Sequence, residues 1–296
     1  MYFKKIPVKK ISQIEEETKS LRWIFRGEKN AGWNLKTSLE RVCAAFGRKS
    51  PKHGAKIEAI LLREFKRRFH HYRPEVPEND LEWLAYMQHF GAPTRLLDWT
   101  YSLHVAIYFA LEIPDPDGYA VWAINQDWLQ EQSLEAIKKS YVYLEASPDK
   151  RKSIERFLVS RPAVPEEGDD SWFDKILVDR KTPPRFVFCA NPFLLNERLT
   201  LQKGLFLALG NAKASFEDNL RALQGSRGNI LKFILPKRKR LEFLRHLDSL
   251  NINSATLFPG LEGFCHSLGV YHHRVRELLN KKKDPVRIIR KSGSTR

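Results

Sequence analysis

The sequence predicts an α+β fold in which a central, mostly antiparallel sheet is accompanied by N-terminal helices, a helical insertion and C-terminal helices. The chain has 296 residues, of which 42% are hydrophobic, which is enough for a substantial core. Amphipathic helical segments dominate the part before Gly91, whereas several short runs of β-branched and aromatic residues follow it. Long, unequal connections separate these runs, which favours α+β over a regular alternation of strands and helices.

Helices and one strand are predicted in the N-terminal part. ISQIEEETKSL has a helical pattern, and RWIFRGE is typical of a short buried strand that ends near Gly27. Residues 35–46 and 56–72 are predicted helices, the second with apolar residues at three-to-four spacing. A further helix, LEWLAYMQHF, follows an N-cap at Asn79 or Asp80 and stops at the glycine behind it.

Strands and helices alternate irregularly after this point. TRLLDWT is a predicted strand, and Thr100 or Ser102 would cap a helix that runs to Leu111. YAVWAIN, RFVFCA and NILKFILP are further predicted strands, and LTLQKGLFLAL is read as another pair of strands that turns at Lys203-Gly204.

Two other segments complete the chain. Residues 126–184 are charged, helical to about residue 160 and then loop-like, which indicates an insertion on the outside of the core. KRKRLEFLRHLDSL is a predicted basic helix, and residues 261–280 are predicted to be helical again.

The charge predicts a polyanionic partner. The formal net charge is +16, with basic blocks at Lys237–Arg240 and Lys281–Lys283. Residues 281–296 hold seven basic residues against one acid, Asp284, and are predicted to be a disordered tail. Such a tail either contacts nucleic acid or serves only as a solvated end, and the sequence leaves both readings open.

Several classes of protein lack their signatures here. No apolar run has the length of a membrane helix, and the N-terminus lacks the pattern of a signal peptide. Three scattered cysteines form neither a C-x-x-C pair nor a disulfide set, so we expect a cytoplasmic protein. Zinc, P-loop, dinucleotide and hydrolase motifs are absent from the sequence, and we expect no metal and no resident cofactor.

Three concentrations of polar residues carry the candidate chemistry. Arg26 stands at a strand end beside Gly27, where a guanidinium suits a phosphate or carboxylate and a glycine lets a ligand approach the backbone. The stretch QHFGAPTRLLDWT is the second, and Glu197 and Gln202 belong to the third. The polar residues of the second concentration are Gln88, His89, Thr94, Arg95, Asp98 and Thr100.

Each concentration also has a structural interpretation. Asp98 lies between apolar neighbours and must be paired or exposed, and Arg95 or Arg26 would supply the partner. Glu197 is the natural candidate for a catalytic carboxylate, and a surface ion pair is its plain alternative. We favour a ligand site, because three such concentrations exceed what core architecture usually demands.

These motifs, in this order, resemble the FRG domain family. The resemblance rests on FRGE, the Leu-x-x-Ser-Leu-x-Arg segment, LLREFKRR, QHFGAPTRLLDWT with VAIYFA, NERLTLQKGLF and LNINSATLFPGLEG, which together extend from Trp23 to Leu268. It implies one FRG-type domain over residues 1–280, with the insertion at 126–184 and the tail at 281–296. The family is bacterial and phage-associated, and its activity is largely unknown.

A second resemblance is to ADP-ribosyltransferases of the Arg-Ser-Glu class. It implies that Arg26 holds the phosphates or ribose of NAD, that Thr100 shapes the nicotinamide pocket and that Glu197 steadies the ribose cation. Asp98-Trp99-Thr100 departs from the Ser-Thr-Ser of these enzymes, and Glu197 is displaced by about one residue.

Three functions compete on this basis. The first is a nucleotide-utilising transferase of ADP-ribosyltransferase type with NAD as substrate, acting as a toxin or phage-defence effector. The second is a non-catalytic, basic nucleic-acid-binding module, and the third is an interaction domain whose charge only keeps it soluble. The sequence predicts a nucleotide or nucleic acid as partner and no membrane, and it gives no oligomeric state. A cleft where Arg26, residues 88–100 and Glu197 meet would favour the first.

Overall fold

The computed structural model describes residues 2–45, 53–72, 76–159, 184–192 and 196–270 and confirms the α+β class. Its strands form one seven-stranded sheet. They are β1 (Lys4–Pro7), β2 (Trp23–Glu28), β3 (Leu96–Thr100), β4 (Tyr119–Asn125), β5 (Val187–Ala190), β6 (Gly204–Leu209) and β7 (Ile230–Leu235).

The sheet is open and mostly antiparallel. Its strand order is β1-β7-β4-β2-β3-β6-β5. Only the edge pair β1–β7 is parallel, and every other neighbouring pair runs antiparallel, as the sequence predicted. The sequence did not predict β1, because its KKIP segment carries a single large apolar residue.

Helices connect and cover the strands. In the first half they are α1 (Ile11–Glu17), α2 (Ser38–Ala45), α3 (Gly54–Phe69), α4 (Asp80–His89) and α5 (Leu103–Leu111). The middle contributes α6 (Gln126–Lys138), α7 (Tyr141–Leu144) and α8 (Pro148–Val159). The last are α9 (Glu197–Leu201), α10 (Phe216–Arg221), α11 (Arg240–Ser249), α12 (Ser254–Leu257) and α13 (Gly260–Val270).

Two apolar clusters lie on opposite faces of the sheet. Alternate residues of β4 divide between them, Trp122 and Ile124 in one and Val121 and Ala123 in the other. Helices α3, α4, α6 and α8 contribute to the first cluster, and α1, α5 and α11 contribute to the second. All seven residues of β4 are therefore buried, and the sheet forms the middle of three layers.

Local signals fix several helix boundaries. The side chain of Asn79 accepts a hydrogen bond from the Glu82 amide at 2.9 Å, which confirms the predicted N-cap of α4. Gly91 follows this helix with a φ of 81°, a left-handed conformation that favours glycine. Ser102, one of the two predicted caps, accepts the Val105 amide at the start of α5.

The predicted pair of strands in LTLQKGLFLAL is wrong in its first half. Residues Glu197–Leu201 form α9, because the Asn196 side chain caps the helix by accepting the Leu199 amide at 2.8 Å. Lys203 then takes a left-handed φ of 45°, and Gly204 starts β6.

The helical part of the predicted insertion contributes to the core. Ile137 of α6 and Ile154 of α8 are fully buried in the first apolar cluster. Residues 160–183, residues 271–280 of the predicted last helix and the predicted tail at 281–296 lie outside the described residues. Within the described residues, no helix combines the length and apolarity that crossing a membrane requires.

Candidate functional site

A cleft of about 930 Å³ opens where β2 and β3 separate in the sheet. These two neighbours share a single residue pair, Phe25 with Thr100, whereas β2 pairs with β4 along all six of its residues. The described walls of the cleft come from β2, β3, β6, the loop after β2, α2, the ends of α4 and α5, and α9. The structure thus brings parts of all three predicted concentrations to one place.

Arg26 lies at the start of this separation. Its Nη1 donates to the backbone carbonyl of Asp98 at 2.7 Å, and its Nε donates to Oε1 of Glu28 at 2.8 Å. The side chain is 17% exposed and lines the cleft. A guanidinium has five N–H donors, so these two bonds leave donor capacity for a ligand.

Gly27 lines the cleft, but its lack of a side chain serves the packing of α5. A Cβ at this position would lie 2.1 Å from the carbonyl oxygen of Ala106 and 2.5 Å from the amide nitrogen of Ala110. The glycine therefore lets a helix backbone approach β2, where the sequence had suggested the approach of a ligand.

Asp98 is the exposed residue of β3 and lines the cleft. Its Oδ2 accepts a hydrogen bond from Nε2 of Gln88 at 2.9 Å. The Gln88 Oε1 accepts in turn from the Thr94 hydroxyl at 2.6 Å. Thr94 is fully buried, and its amide donates to the Ser38 hydroxyl at 2.9 Å.

The predicted partner of the Asp98 carboxylate was wrong. Arg95 is 1% exposed and forms a salt bridge with Glu58, which also accepts the Arg95 backbone amide at 2.9 Å. Arg26 reaches the backbone of Asp98 and not its carboxylate. Because charges buried at this depth need a close partner, Glu58 on α3 determines where Arg95 lies.

Thr100 and Gln202 line the cleft and join its two sides. The Thr100 hydroxyl donates to the Gln202 carbonyl at 2.7 Å and accepts the Ser102 amide at 2.9 Å. The side-chain Nε2 of Gln202 donates to the Leu257 carbonyl at 3.1 Å. These bonds tie the end of β3 to the turn between α9 and β6.

The remaining predicted residues occupy different positions. His89 lines the cleft at the end of α4, with its ring 4.7 Å from that of Phe90. Glu197 is exposed in the first turn of α9 and is not among the cleft-lining residues, although its neighbours Asn196 and Arg198 are. Its catalytic role stays a prediction.

Sequence reasoning missed an aromatic residue on the wall of the cleft. Trp33 is 46% exposed, and Nζ of Lys29 lies 5.5 Å from its ring centroid. Its carbonyl accepts a hydrogen bond from Nζ of Lys232 at 2.8 Å. A tryptophan in the Gly- and Asn-containing segment KNAGWN could have drawn attention, because such loops seldom need an indole for packing.

Lys232 anchors this loop from within the sheet. The residue is buried, and its Nζ lies 4.5 Å from the centroid of the Trp122 ring. Burial lowers the pKa of Lys232 by desolvating the ammonium, and the nearby Glu28 carboxylate opposes this effect. The buried ammonium of Lys232 thus holds the backbone of Trp33, whose indole is exposed.

The cleft favours anions. Among the described residues that line it, five are cationic: Arg26, Lys29, Lys36, Arg41 and Arg198. Three of these described lining residues are acids, Glu28, Asp98 and Glu112, so the described cations exceed the described acids by two. Among the described residues there is no group of three or more His, Cys, Asp or Glu side chains suited to hold a metal ion.

Comparison with known proteins supports one of the two resemblances. The model of the FRG domain matches residues 21–118 of the chain, which supports its assignment to the FRG domain family. The match includes Arg26 and the stretch from Gln88 to Thr100 and ends before Glu197 and Gln202. No curated protein and no solved structure matches the chain.

Proposed function

We propose that the cleft between β2 and β3 binds a nucleotide and that the protein is a nucleotide-utilising transferase of ADP-ribosyltransferase type, with NAD as its substrate. The observation that carries this proposal is the position of Arg26. Its guanidinium stands where the ladder between the two strands ends, partly exposed in the cleft and with N–H donors beyond those that Glu28 and Asp98 occupy.

The phosphates of the ligand would contact Arg26. A guanidinium donates parallel hydrogen bonds to two phosphate oxygens, and its neighbours in the protein hold it in a fixed orientation. Lys29, Lys36, Arg41 and Arg198 on the cleft walls add long-range attraction for a dianion.

The base of the ligand would stack on Trp33. The backbone carbonyl of Trp33 accepts a hydrogen bond from Lys232, so the backbone that bears the indole is held in place. Stacking on an aromatic side chain suits any nucleobase, because every base has a π-face. The aromatic surface would thus contact the base of the nucleotide, and the cations in the same cleft would contact its phosphates.

The transfer itself needs little from the protein. The bond between nicotinamide and ribose C1′ breaks, its electron pair leaves with nicotinamide, and positive charge develops on the ribose. A lone pair of the acceptor then forms the new bond to C1′, and the acceptor's proton passes to water or a base. A carboxylate beside the ribose stabilises the charge that develops in the transition state.

The alternative of a nucleic-acid-binding module finds less support in the described residues. Two cations of the block at Lys237–Arg240 have internal partners. Arg240 donates to the carbonyls of Leu111 and Glu112, each at 2.7 Å, and Lys239 pairs with Glu242 at 2.9 Å.

Titration calorimetry with NAD tests the proposal. We expect NAD to bind the purified chain and Arg26→Lys to weaken binding at least tenfold, because lysine lacks the planar fork. Arg67→Lys is the matched control, since Arg67 pairs with Glu64 on the exposed face of α3 and does not line the cleft.

Radiolabelled NAD and a cell lysate then distinguish binding from transfer. Label that enters protein, DNA or RNA with the wild type and not with Arg26→Lys would support the transferase and identify the acceptor class. NAD binding without label transfer or nicotinamide release would contradict the transferase activity and leave a protein that only binds NAD. Binding of nucleic acid without NAD would favour the alternative module.

A further inference from the structure

Among the described residues, none gives the Asp98 carboxylate the charged partner that a buried acid needs. Both sequence neighbours, Leu97 and Trp99, are buried, while Asp98 is exposed in the middle of a central strand. Its one described side-chain contact is the neutral amide of Gln88 at 2.9 Å. A carboxylate has about four acceptor sites, so most of its acceptor capacity remains for a ligand in the cleft.

The orientation of Gln88 is fixed by the residues behind it. The Thr94 hydroxyl donates to Oε1 of Gln88 at 2.6 Å, which leaves Nε2 as the atom that faces Asp98. The hydroxyl of Thr94 also accepts the Leu96 amide at 3.1 Å, so its proton points away from that bond. This chain of bonds holds the Asp98 carboxylate in one place before any ligand binds.

The other cleft carboxylates are placed differently. Glu28 is buried and bound to Arg26, and Oε1 of Glu112 accepts the hydroxyl of Tyr108 at 3.4 Å. Glu197, which the sequence favoured, is not among the cleft-lining residues. Among the described cleft-lining acids, Asp98 is thus the one that is classed as exposed and whose carboxylate is held by a neutral amide.

We propose that Asp98 accepts hydrogen bonds from the ribose hydroxyls of the nucleotide, so that the cleft selects ribonucleotides over nucleotides without these hydroxyls. This inference rests on the proposed nucleotide binding. A carboxylate repels phosphate and requires donors, and the hydroxyls are the donors nearest to the phosphates in a nucleotide. Arg26 and Asp98 are joined directly, because the guanidinium donates to the Asp98 carbonyl, so a phosphate and its adjacent ribose would contact neighbouring groups.

In this assignment Gln88 and Thr94 are positioning residues. They do not touch the ligand's hydroxyls but hold the acceptor that does. Their loss is expected to reduce the selection for ribose more than the affinity for the phosphates, since Arg26 is left unchanged.

Titration with ADP and with 2′,3′-dideoxy-ADP tests the inference. We expect the wild type to bind ADP at least about tenfold more tightly, since hydrogen bonds to charged groups are the strong ones. In Asp98→Ala the two affinities should agree within about twofold, because the hydroxyls lose their acceptor. Gln88→Leu should lower the ratio, and Thr94→Ser, which keeps the hydroxyl, should preserve it while Thr94→Val does not. Thermal melts identify any variant that fails to fold.

The outcomes separate this inference from the proposed function. Equal affinities for the two nucleotides in the wild type, or a ratio unchanged in Asp98→Ala, would overturn the role of Asp98. If ADP binding still depends on Arg26 in that case, the proposed nucleotide binding holds and only the role of Asp98 fails. Failure of the wild type to bind either nucleotide would overturn both.

Discussion

The guanidinium of Arg26 donates a hydrogen bond to the backbone carbonyl of Asp98 at 2.7 Å, across a gap where β2 and β3 no longer pair. In a continuous sheet a backbone amide of the neighbouring strand would serve that carbonyl. Here a side chain replaces the amide, which leaves the strands apart and satisfies the carbonyl at the same time. Arg26 therefore belongs both to the sheet and to the cleft.

The pair Arg26–Glu28 should contribute to stability as well as to ligand binding. Glu28 is buried, so removing its cationic partner leaves a carboxylate with little solvent. A double-mutant cycle with Arg26→Gln and Glu28→Gln, measured by urea unfolding, should give a coupling free energy of about 1 to 3 kcal/mol. The exposed pair Arg67–Glu64 is the control and should give below about 1 kcal/mol. Equal coupling in both pairs would contradict the structural role of Arg26.

Trp33 should contribute to nucleotide affinity and not to folding. The ring is 46% exposed, so Trp33→Ala is expected to leave the melting temperature nearly unchanged. It should weaken NAD binding by about tenfold, because stacking on an aromatic ring is worth about 1 to 3 kcal/mol per base. Trp33→Phe should keep most of the affinity, and Tyr72→Ala, an exposed aromatic outside the cleft, is the control. Equal NAD affinities of the wild type and Trp33→Ala would contradict the proposal that the base stacks on Trp33.

Much of the fold is predictable from the sequence because its signals are local. The strands β2, β3, β4, β5 and β7 are apolar runs between turn residues, and Asn79 and Ser102 cap helices as their residue types suggest. The segment LTL before Lys203 also looks like a strand, and only the cap at Asn196 reveals a helix.

The sequence predicts that polar residues of three segments lie close together, but it does not predict their individual contacts. The sequence offers Arg95 and Arg26 as alternative partners of Asp98. The choice depends on Glu58, which lies 37 residues from Arg95 in the chain and binds it in the core. Trp33 was missed because one aromatic residue in a loop forms no pattern.

Gly27→Ala should destabilise the protein. The new Cβ would meet the carbonyl oxygen of Ala106 at 2.1 Å, so α5 would have to move away from β2. Overpacking of this kind typically costs about 1 to 3 kcal/mol, and here the obstacle is backbone and not a flexible side chain. Gly32→Ala is the control, because its Cβ would meet only the Asn30 side chain at 3.1 Å on an exposed turn. Chemical denaturation measures both, and an equal effect would contradict close packing at Gly27.

Stability should decrease between pH 7.5 and 5.5 in part through His104. Burial lowers the pKa of His104 from its ordinary 6.5 by desolvating the imidazolium, and His246 on α11 adds repulsion while Glu15 on α1 opposes the shift. Because the folded state binds the proton less readily than the unfolded state, the contribution is present above pH 6.5 and is lost as the pH falls.

Urea unfolding at the two pH values checks this prediction. His104→Gln should show a smaller decrease in unfolding free energy than the wild type, whereas the exposed control His71→Gln should behave as the wild type. An unchanged decrease in His104→Gln would assign the pH dependence to other groups.

The buried pair Arg95–Glu58 should be the most costly ion pair to break among those considered. Arg95 is 1% exposed and Glu58 is 2% exposed, so neither charge has solvent to replace its partner. Glu58→Gln keeps the shape and removes the charge, and we expect it to lower the free energy of unfolding by about 3 to 5 kcal/mol. Glu64→Gln on the exposed face of α3 is the matched control and should cost at most about 1 kcal/mol. Because Glu58 also fixes the backbone amide of Arg95, just before β3, folded Glu58→Gln should show weaker nucleotide binding as well. Equal unfolding free energies of Glu58→Gln and wild type would show that the pair is not needed to fix the strand that carries Asp98.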